Sequence, residues 1–156
     1  MNMSMNLIKY LLAAVTVVVS IGCAPEVEIK TYPPIEELAN TVWVNRTQDE
    51  SGKFYNNTMA FMDDGTGTIT AYAATDLNTP LSSVNFTYTF PLNDNDGLRV
   101  IFEDGARYDG YVIQKGNVQI DFKDVYLIQL FEVDESGEVI LDEFNNPAST
   151  LLFWKE

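Results

Sequence analysis

The chain has 156 residues, of which 46% are hydrophobic, so it is long enough and apolar enough to bury the core of one domain. It contains no histidine and a single cysteine, which excludes an intrachain disulfide, a zinc site built from several cysteines and catalysis by a histidine base. The formal net charge of −14 repels nucleic-acid phosphates, so no nucleic-acid partner is expected.

The N-terminal residues have the pattern of a secretory signal peptide. Lys9 supplies a positive charge, and the apolar run over residues 10–19 is shorter than the roughly 20 apolar residues that a transmembrane helix needs. The run is followed by Ser20-Ile21-Gly22-Cys23, in which small residues precede the cysteine. The chain is therefore predicted to consist of a signal peptide over residues 1–22, a lipid-anchored linker over residues 23–34 and one domain over residues 35–156.

The sequence around Cys23 resembles the lipobox of bacterial lipoproteins. In that family the signal peptide is cleaved before the cysteine, which carries a diacylglycerol and an N-acyl chain. Gly22 and Cys23 match the pattern, whereas Ser20 stands where Leu or Val is usual. The resemblance implies that Cys23 is lipidated and holds the protein on the membrane, because several acyl chains together anchor stably. The alternative is an ordinary signal peptide in which Cys23 is incidental.

The residue after the cysteine bears on localisation. Ala24 is not aspartate, and by resemblance to enterobacterial sorting rules this favours the outer membrane. The expected location is thus the cell envelope, with the periplasmic face and the cell surface both left open.

Residues 24–34 are predicted to be a tether between membrane and domain. They contain three prolines and few side chains of core size. After Pro33 and Pro34, residues 35–40 are suited to one helical turn, because proline favours the start of a helix.

From Thr41 onwards, apolar residues recur at every second position, which is typical of strands with one buried face. The clearest case runs from Val84 to Phe90, where the apolar side chains alternate with asparagine and threonine. Strands are predicted over residues 42–47, 57–62, 67–73, 84–90, 98–103, 107–113, 117–122, 125–133, 138–141 and 150–155.

Glycine-containing turn sequences separate these strands. They lie over residues 63–65, 94–97, 103–105, 115–117 and 135–137. The short connections leave no room for crossover helices, which parallel strands would need. The sequence therefore predicts an all-β antiparallel meander of about eight to ten strands, closed into a barrel that buries its apolar face and hides its edges.

The start of the meander resembles the lipocalin-like domains of Bacteroidetes-type lipoproteins. A proline-led turn is followed by Thr41-Val42-Trp43, which opens the first strand. Lipocalins carry Gly-x-Trp there, so Trp43 matches and Thr41 departs from the pattern. The resemblance covers residues 35–156 and implies a lipocalin-like barrel that holds a small apolar or amphipathic molecule.

Aromatic residues on the predicted strands are candidates to line a ligand cavity. The alternative is that they fill the core, since a barrel of about eight strands either is filled by side chains or leaves one small cavity. The residues proposed to contact a ligand are Trp43, Tyr88, Phe90, Tyr108 and Tyr126.

Charged residues offer a second candidate site. Arg99 and Arg107 are close together in a predicted hairpin and are suited to a ligand that carries a carboxylate. The plainer interpretation is a cross-strand ion pair with Glu103 or Asp109.

Neighbouring carboxylates do not predict catalysis here. Asp63-Asp64 and Glu103-Asp104 lie in turns before glycine, where aspartate serves local hydrogen bonds. Residues 94–97 with Glu103 resemble part of a calcium-binding loop, but Leu92 stands where an aspartate ligand is required. No catalytic residue, no metal site and no cofactor is predicted, and the chain is not expected to be an enzyme.

Two functions are compatible with these features. The first is a lipid-anchored binding module that holds a small hydrophobic or amphipathic ligand in or at the barrel. The second is a structural or interaction protein with a filled barrel, which contacts another envelope protein or inhibits a protease. A filled interior with an exposed apolar patch favours the second function, whereas an open interior favours the first.

Overall fold

A computed structural model describes residues 30–92 and 96–156. In this part of the chain eight antiparallel strands pair in sequence order, and the last pairs with the first to close a barrel. The strands are β1 Thr41–Gln48, β2 Phe54–Phe61, β3 Thr66–Ala73, β4 Asp76–Leu92, β5 Gly97–Phe102, β6 Arg107–Ile120, β7 Lys123–Val133 and β8 Thr150–Lys155. The predicted all-β meander closed into a barrel is confirmed. Among the described residues, no helix has the length and apolar character needed to cross a membrane.

The alternation of apolar residues separates the barrel interior from its outer wall. On β1, Trp43 is fully buried, whereas Val42 and Val44 on either side are 54% and 42% exposed. The interior is filled by large apolar side chains from seven of the strands and from the segment before β1. The buried core consists of Leu38, Trp43, Met59, Phe61, Phe86, Leu98, Val100, Val112, Ile128, Leu130 and Phe153.

The closure between β1 and β8 uses fewer paired residues than the pairings between the other neighbouring strands. β1 and β2 pair along their whole length, from Thr41 with Phe61 to Gln48 with Phe54. Between β1 and β8, the paired positions are Val44 and Trp154. Because paired residues share a face, the closure sets an outward-facing valine beside an outward-facing tryptophan.

The segment before β1 packs against one end of the barrel. Leu38 is buried among the core residues, and Ile35 packs against them. The backbone N–H of Thr41 donates to the carbonyl oxygen of Leu38 at 3.1 Å, and Asn40 has a φ of 59°, a left-handed value that asparagine tolerates. The predicted helical turn over residues 35–40 is therefore wrong, because the chain here makes one tight turn instead.

The hairpin between β6 and β7 reverses later than the sequence predicts. Residues 115–117 lie inside β6, where a register shift between Ile113 and Val118 accommodates them. The chain reverses at Asp121 and Phe122, which both have positive φ. A glycine with positive φ serves a bulge as well as a turn, so the glycine signal at 115–117 did not distinguish the two.

Two further boundaries differ from the prediction. Residues 76–83 extend β4 although both of their faces are exposed, so they lack the alternation that reveals a strand. Residues 138–141 form isolated bridges inside the β7–β8 connection and not a strand. The turn predicted over residues 94–97 lies mostly outside the described residues.

Candidate functional site

The aromatic residues predicted to contact a ligand are part of the packed interior. Trp43 is fully buried, and its indole Nε1–H donates to Thr41 Oγ1 at 2.9 Å. The other four pack against the core at its edges. These are Tyr88, Phe90, Tyr108 and Tyr126.

A network of rings fills the interior on the side of β2 to β6. Five rings contact one another edge to face, with centroid separations from 4.9 Å to 6.5 Å. This is the arrangement that the ring quadrupoles favour. The five rings are Phe61, Phe86, Tyr88, Phe102 and Tyr108.

The tyrosine hydroxyls at the core bind other groups of the chain itself. Tyr88 donates to the Met62 carbonyl oxygen at 2.7 Å, and Tyr126 donates to the Pro33 carbonyl oxygen at 2.8 Å. The Tyr108 hydroxyl lies 2.9 Å from Ser149 Oγ. Among the described residues, no buried side-chain nitrogen or oxygen lacks a hydrogen-bond partner. The fold thus uses these hydroxyls itself, and ligand contact by the five aromatic residues stays a prediction.

On the outer wall, Arg99 of β5 and Arg107 of β6 converge on Asp109. Arg99 donates from Nε and Nη2 to the two carboxylate oxygens at 2.9 and 3.0 Å, and Arg107 donates from Nη2 at 2.7 Å. Burial raises the pKa of Asp109, but the hydrogen bonds from both guanidinium groups outweigh burial and lower it. The cross-strand ion pair is confirmed, with Asp109 as the acceptor.

These arginines also line a cleft of about 470 Å³ on the outer wall. Asp109 engages two of the five N–H donors on each guanidinium, so donors remain for another acceptor. The other side chains around the cleft are mainly apolar. They include Leu92, Tyr111, Val133 and Val139.

An apolar surface covers the outer wall where the barrel closes. We call it the seam surface and define it by Val42, Val44, Phe54, Leu152 and Trp154. A cleft of about 440 Å³ adjoins it, lined by Val44 and Trp154, by polar and charged residues of β1 and β2, and by Tyr72 and Leu77. The sequence contained a signal for this surface, since valines next to a buried strand residue must face outward.

Carboxylates in the turns bind backbone and hydroxyl groups nearby. Asp64 Oδ1 accepts from the Thr66 hydroxyl at 2.6 Å and from the Thr66 N–H at 3.0 Å, and these hydrogen bonds lower the pKa of Asp64. Glu103 Oε1 accepts from Asn85 Nδ2 at 3.0 Å. Over residues 30–92 and 96–156, no three acidic side chains are arranged to hold a metal ion.

The remaining predicted site, Cys23, lies outside the described residues. No family model, no curated protein and no solved structure matches the chain. The fold and the site therefore define a class by geometry alone: a closed eight-stranded antiparallel barrel with a packed interior and an apolar surface at its closure.

Proposed function

We propose that this chain is a lipoprotein of the cell envelope, with a lipocalin-like barrel that binds another envelope protein without catalysis. The lipidated Cys23 attaches it to the membrane, with the outer membrane favoured. The seam surface makes the contact with the partner. The support for attachment is the sequence pattern around Cys23, and the support for the contact is the packing of the barrel.

The filled interior is the observation that favours a protein contact over a ligand inside the barrel. Trp43, Met59, Leu98, Val100 and Ile128 have no solvent exposure, and they occupy the space in which a barrel of this size would hold a ligand. The cleft beside Arg99 and Arg107 and the cleft beside the seam surface both open to solvent. A protein of this form presents its binding surfaces outward.

The seam surface has the chemistry of a protein contact. It combines aliphatic side chains with Trp154 and Phe54, and the guanidinium of Arg46 lies 4.6 Å from the Phe54 ring centroid. Aromatic residues and arginine are enriched at the centres of protein interfaces. Because the charged side chain at this surface is the Arg46 guanidinium, the partner it fits has an apolar centre and a carboxylate at the rim.

Site-specific cross-linking in the native envelope tests this function. Benzoylphenylalanine at Val44 should give one discrete protein adduct of reproducible mass under ultraviolet light. Ile101 is the matched control, since it has similar exposure (40% against 42%) but lies on β5, on the far side of the barrel. Equal adducts at both positions, or none at Val44, would argue against the seam surface as the contact.

The cleft beside Arg99 and Arg107 favours a second function, the binding of a small amphipathic carboxylate at the barrel wall. Two guanidinium groups held by one carboxylate provide donors for an anion, and the apolar lining suits a short hydrocarbon tail. Titration calorimetry with octanoate should show binding to the protein that Arg107→Gln weakens. Equal heats for the two proteins would dismiss this function.

A further inference from the structure

We propose that the tip of the β6–β7 hairpin is a bilayer-docking surface that sets the orientation of the barrel on the membrane. The surface consists of Phe122 and the lysines around it, and we call it the hairpin face. This inference rests on the proposed attachment through Cys23, because it concerns how an anchored barrel lies against the lipid.

Phe122 is placed where the fold gains nothing from a phenylalanine. It is the second residue of a two-residue turn in which Asp121 has a φ of 50° and Phe122 a φ of 64°. Such turns favour glycine at this position, because a large side chain is strained at positive φ. The Phe122 side chain is 99% exposed, so no packing within the chain offsets that strain. An aromatic ring held out in this way is suited to a partner outside the chain.

The segment before β1 lies beside this hairpin. The Tyr32 hydroxyl donates to Asp124 Oδ2 at 2.7 Å, and Gln114 Nε2 donates to the Tyr32 carbonyl oxygen at 2.6 Å. Tyr32 is thus bound to a residue that follows Phe122 by two positions. Lys30 follows Cys23 by seven residues, and an extended chain spans about 3.5 Å per residue. Lys30 therefore lies within about 25 Å of the acylated cysteine, and the tether reaches the barrel on the side of the hairpin face.

Lysines gather around the same hairpin although the protein as a whole is strongly acidic. Lys115 Nζ lies 5.1 Å from the Tyr32 ring centroid, and Lys30 is close enough to act on the Asp124 carboxylate. Lys123 follows the turn directly. Four of the six lysines of the chain lie here, against three carboxylates. The lysines are Lys30, Lys115, Lys123 and Lys155, and the carboxylates are Asp121, Asp124 and Glu156.

The charge of this region fits lipid phosphates. Four ammonium groups balance the carboxylates here, so this region lacks the negative charge that the chain carries as a whole. Lysine side chains reach phosphate groups while their stems contact apolar surface, and an aromatic ring beside them enters the interface between headgroups and acyl chains. The other side of the same barrel end carries Glu37, Asp63 and Asp64 near Tyr88. The barrel is therefore tilted, with the hairpin face towards the lipid and the acidic side away from it.

Depth-dependent quenching of tryptophan tests this orientation on the full acylated protein. The protein is placed in vesicles of phosphatidylcholine and phosphatidylglycerol whose acyl chains carry bromine, a short-range quencher. Phe122→Trp is compared with Phe144→Trp, because Phe144 is also highly exposed (74%) but lies in the connection between β7 and β8, at the opposite end of the strands. The wild-type protein supplies the baseline for Trp43 and Trp154, and intact mass reports whether Cys23 is acylated.

We expect the Phe122→Trp protein to lose emission and the Phe144→Trp protein to lose none beyond the wild-type baseline. An acylated protein in which the two introduced tryptophans are quenched alike, or neither is, overturns the docking and leaves the anchor standing. An unmodified Cys23 overturns the anchor and the docking together.

Phe122→Gly separates docking from folding. Because glycine suits the turn, this variant should keep or raise the thermal midpoint. On vesicles, where the acyl chains keep both proteins bound, Lys123 should react faster with a water-soluble amine reagent in the Phe122→Gly protein than in the wild type, because loss of the ring frees the hairpin face from the lipid. Equal reactivity of Lys123 in the two folded, acylated proteins would overturn the docking.

Discussion

At the scale of single residues, aspartates in the turns hold the backbone by hydrogen bonds. Asp49 is the fullest example: its Oδ1 accepts from the Ser51 hydroxyl at 2.7 Å and from the Ser51 and Lys53 N–H groups, each at 2.9 Å, and its Oδ2 accepts from the Tyr55 hydroxyl. The hydrogen bond from the Ser51 hydroxyl, followed by that from the Lys53 N–H, lowers the pKa of Asp49 to about 2. The same arrangement recurs at Asp134.

The low pKa of Asp49 predicts a pH-dependent contribution to stability. A depressed folded-state pKa stabilises the fold above the unfolded value of about 3.9, and this stabilisation is lost as the pH falls towards 2. Asp49→Asn should therefore lower the urea midpoint at pH 6, and the difference from wild type should shrink between pH 4 and pH 2. Ser51→Ala removes the strongest hydrogen bond and should show the same trend. A difference that is constant with pH would contradict the assignment.

At the scale of strands, close approach between β6 and β7 depends on a glycine. A Cβ on Gly110 would overlap the Gln129 carbonyl oxygen and would lie 2.8 Å from the Leu130 Cα. Both obstacles are backbone atoms of the adjacent strand, so they cannot move aside as a flexible side chain can. Leu130 is one of the fully buried core residues, and a displacement of β7 would therefore disturb the interior.

Gly110→Ala should thus destabilise the barrel by about 1–3 kcal/mol, which is the usual cost of overpacking. Thermal or urea unfolding of the variant measures this directly. Ser82→Ala is a suitable control, because Ser82 is exposed on β4 and its replacement should change stability by less than about 0.5 kcal/mol. An unchanged midpoint for Gly110→Ala would show that β6 and β7 do not approach as closely as described.

At the scale of the whole molecule, the proposed attachment divides the chain into an N-terminal part that anchors it to the membrane and a barrel that makes the contacts. The barrel is complete within residues 41–155, and the segment from residue 30 packs against one end of it. A net charge of −14 does not favour adsorption to anionic lipid, so firm membrane association needs the acyl chains. The hairpin face can orient the protein but not hold it.

Cys23→Ser should therefore abolish acylation and release the protein from the membrane fraction. Metabolic labelling with a palmitate analogue and sedimentation of membranes measure the two effects separately. Because Cys23 precedes the barrel, the circular dichroism spectrum of the variant should keep its β signal. A variant that still sediments with membranes would refute the lipid anchor.

The sequence by itself determined the fold class and most of the strands. Alternation of apolar residues is a local signal, so it located β1, β3, β5, β7 and β8 closely. It failed where the local signal was ambiguous or absent. Residues 76–83 are exposed on both faces and show no alternation, and the glycine at 116 serves a bulge as readily as a turn. The sequence also predicted the cross-strand ion pair, since Arg99 and Asp109 lie close together in any short hairpin between β5 and β6.

Whether the interior is filled and which surfaces remain exposed were decided by the tertiary structure alone. Trp43 and Tyr108 have the same local pattern whether they line a cavity or pack against neighbours, because the difference lies in strands far away in the sequence. The pairing of Val44 with Trp154 joins the first strand to the last and so creates the seam surface. Phe122 alternates with Val118 and Ile120, as residues on one face of the predicted strand over residues 117–122 do, but the register of the hairpin places it in solvent. Register and closure are long-range properties, because each depends on the partner strand as well as on the strand itself.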